Sequence, residues 1–149
     1  VKIVAVALHV LGVVVWLGGV MYQAHVLMPA ARRGQVAPFA ELAARGRTTG
    51  WVALGLVVLT GLYNVTRLGP ARDVMASGAG LLLAGKFMLV LLLIAVAGQR
   101  DFSCVPRLRR AIDGAEDPQP VLRAIARLDH VAVGLGAVIV FLGVAVSRS

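Results

Sequence analysis

From Ile3 to Ala31 the chain contains no aspartate, glutamate, lysine or arginine. At about 1.5 Å per residue, a helix of that length exceeds the roughly 30 Å hydrocarbon core of a bilayer, so it should tilt or project. Three further stretches approach spanning length: about Trp51 to Leu68, closed by Gly69-Pro70; Val74 to Gly98; and His130 to Val146. With 59% hydrophobic and only 15% charged residues, a soluble domain is excluded. The apolar runs are unbroken where a membrane barrel needs alternating strands of about ten residues. A single cysteine, Cys104, cannot build a disulfide scaffold. The expected fold is all-α, an integral membrane bundle of four antiparallel transmembrane helices, with residues 1–149 forming one domain. The first run is too long for the apolar region of a secretory signal, has no clear small-residue cleavage site, and is read as mature structure.

The formal charge of +8 belongs to topology and not to nucleic acid, because the basic residues sit in short segments between apolar runs. Arg32, Arg33, Arg45 and Arg47 follow the first span, and Arg100, Arg107, Arg109, Arg110, Arg123 and Arg127 separate the third from the fourth. The other side has only Lys2, Arg67, Arg72 and Arg148. The positive-inside rule then places both long connections in the cytoplasm and both termini outside, in a plasma membrane of the bacterial inner-membrane type. Pro38 and Pro120 suit the first turns of helices whose amphipathic starts extend spans two and four beyond the bilayer. Residues 114–118 read as a flexible turn, and no internal repeat is visible.

Polar side chains inside a bilayer are costly and therefore informative. His9 and Lys86 lie on spans one and three at depths that a long lysine stem pointing towards its own N-terminus can equalise. Thr60 and Asn64, one turn apart on span two, fall at the same level, which defines an outer pocket. Ala5, His9, Gly12, Trp16, Gly19 and Gln23 form one stripe at helical spacing; its glycines admit a cofactor or a neighbouring helix. Haem b, whose iron takes neutral nitrogen ligands, suits such a bundle, with His9 and Lys86 as axial pair. A second group lies nearer the cytoplasm. Met21, His25 and Met28 share a face about 160° from His9, and His130 enters span four at similar depth. Thioether and imidazole suit Cu(I), so these four residues are a candidate copper site, and His25 with His130 a second haem pair. No phosphate loop, zinc-protease motif, nucleophile elbow or pair of carboxylates within the spans is present.

Ala7-Leu8-His9-Val10, Val15-Trp16-Leu17-Gly18-Gly19, Leu59-Thr60-Gly61-Leu62 and Gly85-Lys86-Phe87-Met88-Leu89-Val90 occur in an order that resembles the CopD-type and HemJ-type membrane proteins. Arg100-Asp101-Phe102 and Val105-Pro106-Arg107-Leu108 extend the likeness to the CopD-like third connection. The HemJ side implies haem-b-dependent oxidation of protoporphyrinogen IX, with the essential His and Lys falling on His9 and Lys86. The CopD side implies copper resistance or uptake. The chain departs from the HemJ pattern at Gln23-Ala24-His25 and at His130. The leading expectation is a haem-b-binding membrane protein with a redox role, exchanging electrons with a quinol or porphyrinogen. In it, His9 and Lys86 are catalytic, and Gly12, Trp16, Gly19, Thr60 and Asn64 surround the cofactor. The alternative is copper handling through Met21, His25, Met28 and His130. A structural partner with neither cofactor, and a homo-oligomer, also remain open.

Overall fold

The computed structural model describes residues 1–148, which are helical almost throughout and contain no strand. Helix α1 (Lys2–Tyr22) runs through a π-helical segment (Gln23–Leu27) into α2 (Met28–Arg32). After a tight turn in which Gly34 takes φ +113°, α3 (Val36–Val65) returns. The short α4 (Ala71–Met75) precedes α5 (Gly78–Gln99), which passes through a second π segment (Arg100–Cys104) into α6 (Val105–Asp113). Helix α7 (Gln119–Arg148) completes the chain. Four stretches are long and apolar enough to cross a membrane: Lys2–Arg32, Val36–Val65, Gly80–Asp113 and Gln119–Val146. The second and fourth begin well before Trp51 and His130 because their amphipathic starts are helical, with Pro38 and Pro120 inside the first turns. The third starts later than Val74, since that residue belongs to α4.

Proline explains both π segments. Pro29 and Pro106 have no N–H, and their rings would strike the carbonyl four residues back. The residue before each, Met28 or Val105, donates its N–H to the carbonyl five residues earlier, Gln23 or Arg100. The turn takes in an extra residue, and the helix continues with its faces re-phased.

The same spacing recurs at positions outside the π segments. Gln23 and Arg100 open the two π segments 77 residues apart, and the same interval relates Pro29 to Pro106, Trp16 to Leu93 and His9 to Lys86. The returning helices correspond from Pro38 with Pro120 to Gly61 with Gly143. A Cβ placed on Gly61 would lie 3.2 Å from His9 Cε1, and one on Gly143 would lie 3.1 Å from Lys86 Nζ. The molecule is therefore two like-oriented helical hairpins, although the sequence shows no extended repeat: the prolines and Gly61/Gly143 recur, while Trp16/Leu93, His9/Lys86 and Gln23/Arg100 change residue type.

Each hairpin packs chiefly within itself, α1 on α3 and α5 on α7, and α1 against α7 joins them. Gly12 and Gly136 allow the close crossings. A Cβ on Gly12 would meet Val57 Cγ2 at 2.8 Å, and one on Gly136 would meet Leu17 Cδ1 at 2.9 Å. One core, around Trp16, Ala53, Leu54, Leu93 and Ala132, holds the middle of the bundle. A larger one, built on Met28, Phe39, Cys104, Leu108, Leu122 and Ile125, fills the end that carries most of the basic residues. Outward faces such as Ile3, Val14, Leu81 and Phe141 are exposed and apolar, the pattern of a lipid-facing surface.

Candidate functional site

At the basic end, the first π segment turns His25 towards His130 of α7; their ring centroids are 5.7 Å apart and their planes tilted by 57°. A helix of constant phase would have left His25 far round from the bundle axis, and the extra residue in the turn removes that obstacle. His25 Nδ1 donates to the carbonyl of Met21 at 3.0 Å, and His130 Nδ1 donates to that of Ala126 at 2.6 Å. A carbonyl can only accept, so both rings carry a proton on Nδ1, which in a neutral imidazole leaves the lone pair on Nε2. That is the arrangement by which proteins fix a ligating imidazole. Met28, almost wholly buried, lines the same cavity, whose rim includes Arg32 and Arg33. Met21 does not line it: its carbonyl, and not its sulfur, meets His25, and its side chain is exposed. Among the described residues no three His, Cys, Asp or Glu side chains converge as a metal site, so a third protein donor here would be the Met28 thioether.

Towards the end that carries the termini, His9 is half-buried between α1 and α3. Thr60 gives its hydroxyl proton to the Leu56 carbonyl at 2.6 Å and accepts from His9 Nδ1 at 3.0 Å, while the Val57 carbonyl also lies 3.0 Å from that nitrogen. His9 therefore keeps Nε2 free as well. Lys86 is near enough to interact with it electrostatically. Asn64 sits half-buried one turn beyond Thr60. The expectation that Gly12 leaves room for a cofactor is corrected here. Val57 and the Ala53 carbonyl occupy the space beside Gly12, because the glycine serves the α1–α3 crossing. Gly19 does face open space, and with the buried Trp16 it lines a central cavity, deeper in the bundle than His9.

That central cavity, about 280 Å³, lies beside a polar network that joins the two hairpins. Arg100 is its hub. Its Nε donates to Asp129 Oδ1 at 2.5 Å, its Nη1 to Asp101 Oδ1 at 2.6 Å, and its Nη2 to Gln23 Oε1. Trp51 Nε1 donates to Asp101 Oδ2 at 2.9 Å. Asp129 is fully buried, and its Oδ2 has no hydrogen-bond partner. Reasoning from spans missed this network, because Asp101 and Asp129 fall just outside the apolar windows. One signal pointed at it: Gln23 on the inward stripe with Trp16 and Gly19. Cys104, buried beside the second π segment, accepts from Arg107 Nη2 at 3.3 Å.

The family model for copper resistance protein D matches residues 40–146. No curated protein and no solved structure matches the chain. The matched stretch includes Lys86, His130 and the Arg100–Asp101–Asp129 network, and it starts after His9, His25 and Met28. Of the two branches the sequence resembles, the match supports the copper branch; nothing in it supports the HemJ-type branch or a haem. The four spanning helices and a match over most of the chain identify this protein as a member of the copper resistance protein D family.

Proposed function

We propose that this protein handles copper in the membrane and holds Cu(I) between His25 and His130, with Met28 as a third donor. One observation carries the reading: two imidazoles with centroids 5.7 Å apart, each tied through Nδ1 to its own helix, line one cavity together with Met28. Cu(I) accepts low coordination numbers and favours imidazole and thioether over carboxylate. The guanidinium groups of Arg32 and Arg33 at the rim oppose a divalent ion about twice as strongly as a monovalent one, which favours Cu(I) over Cu(II) or Zn(II). Copper is cargo in this reading, which takes the basic end to face the cytoplasm and both termini to lie outside; the arginine distribution supports that orientation.

The test is Cu(I) titration of the detergent-purified protein against a chromophoric chelator, with an absorption spectrum and haem analysis of the same sample. The expected result is one Cu(I) per chain, a loss of affinity of at least about tenfold in both His25→Ala and His130→Ala, and no change in Lys86→Met. Haem is the competing cofactor. A b-type spectrum that Lys86→Met or His9→Ala abolishes, together with copper binding indifferent to His25, overturns the copper site and returns the chemistry to the outer pocket.

A further inference from the structure

The surroundings of the imidazole pair are wrong for a free cation. Arg32 and Arg33, at the rim of its cavity, are exposed and form no ion pair among the described residues. Arg123, two turns from His130 and on nearly the same face of α7, is likewise exposed and unpaired among them. No aspartate or glutamate lines the cavity to offset these charges. Their field repels any free metal ion, Cu(I) included, and draws anions towards the same opening.

Size points the same way. The cavity, about 440 Å³, is far larger than a single ion needs and falls in the range of small-molecule sites. His25 and His130 are both exposed on its wall, so an entering molecule meets the imidazoles directly, while Met28 closes the buried side. The lining thus divides into two chemistries. Imidazole and thioether suit Cu(I), and the guanidinium groups present paired N–H donors that match a carboxylate. A carrier with a thiolate on the metal and a carboxylate on its tail meets both at once, because Cu(I) prefers the sulfur and leaves the carboxylate free.

Resting on the copper reading above, we propose that copper reaches this site as an anionic Cu(I)–thiolate complex of a small carboxylate-bearing thiol, docked through its carboxylate on Arg32 and Arg33. The step is a ligand exchange. Cu–S bonds to the carrier break, bonds to imidazole nitrogen and the Met28 sulfur form, each thiolate leaves with its electron pair, and copper stays Cu(I). The test mixes metal-free protein, in an uncharged detergent without oxygen, with Cu(I) complexed by 3-mercaptopropionate or by cysteamine. Both carry the thiol on the same short chain, and they end in a carboxylate and an ammonium respectively. Protein-bound copper is counted after rapid desalting. The donors differ in intrinsic reactivity, so the quantity read is the ratio of their initial transfer rates in wild type divided by the same ratio in Arg32→Gln/Arg33→Gln, where that difference cancels. It should be at least about tenfold in favour of the carboxylate donor at low salt, and should fall towards one in about 1 M salt, where screening acts within about 3 Å. Both proteins should still reach one Cu(I) per chain. Full uptake with a quotient of one at low salt overturns the anionic carrier and leaves the copper site standing. No uptake from either donor, or uptake that His25→Ala leaves intact, overturns the copper site and the carrier with it.

Discussion

At the proline of the first hairpin the π segment carries Gln23, Ala24 and His25; at the proline of the second it carries Arg100, Asp101 and Phe102. The backbone is the same and the chemistry is not. His25 looks across at another imidazole, whereas the exposed Phe102 lies 5.6 Å from the Trp51 ring with the Arg47 guanidinium 5.5 Å from its centroid. Gln23 and Arg100 meet each other between the hairpins, but the arginine is a charged hub and the glutamine one of its acceptors. A repeated fold thus supplies two equivalent stations. One has become a pair of facing imidazoles, the proposed Cu(I) site, and the other has become the electrostatic joint of the molecule.

The largest effect should come from that joint. Arg100→Leu leaves Asp101 and Asp129 buried without their cation and should cost about 3–5 kcal/mol, read as a fall in detergent-unfolding stability. The counterpart change Gln23→Leu removes one acceptor and should cost only about 1–3 kcal/mol. Equal effects would erase the distinction between the hairpins.

Exchanging the two station residues comes next. His25→Phe should weaken Cu(I) binding by at least about tenfold. The reciprocal Phe102→His should gain no comparable site in a His25→Phe background, because Thr48 stands where the counterpart of His130 would be. Recovery of tight Cu(I) binding in the double variant would show the stations to be interchangeable.

Smaller effects belong to the crossings. Gly12→Ala forces Val57 to move and should cost about 1–3 kcal/mol. Gly18→Ala, with open space around it, should be neutral or slightly stabilising through helix propensity, by about 1 kcal/mol at most. Smallest of all is the exposed Glu41–Arg45 pair on α3, where Glu41→Ala should change stability by no more than about 0.5 kcal/mol.

Much of this was legible in the residues because bilayer physics is coarse. Length and hydropathy alone locate four spanning helices, and the cost of burying ionisable groups singles out His9, His25, Lys86 and His130. The Met21 and Gly12 expectations went astray separately. The first assumed a helix of uniform phase, which a π turn re-phased; for Gly12, of the two uses a small residue allows, the neighbouring helix took the space and left none for a cofactor. The internal duplication was invisible for a different reason. Position in the fold is preserved by backbone geometry around two prolines, and histidine against lysine, or glutamine against arginine, leaves no trace in residue identity.

By itself, then, the sequence determined the all-helical class, the number of spans and the short roster of polar groups, since each depends on local length, composition and solvation cost. Only the tertiary structure decided which of those groups meet. The facing of His25 and His130, the joining of Gln23 to Arg100 and Asp129, and the one unpartnered carboxylate oxygen arise from helix phase and crossing geometry. Those depend on contacts between residues far apart in the chain, which no local pattern encodes.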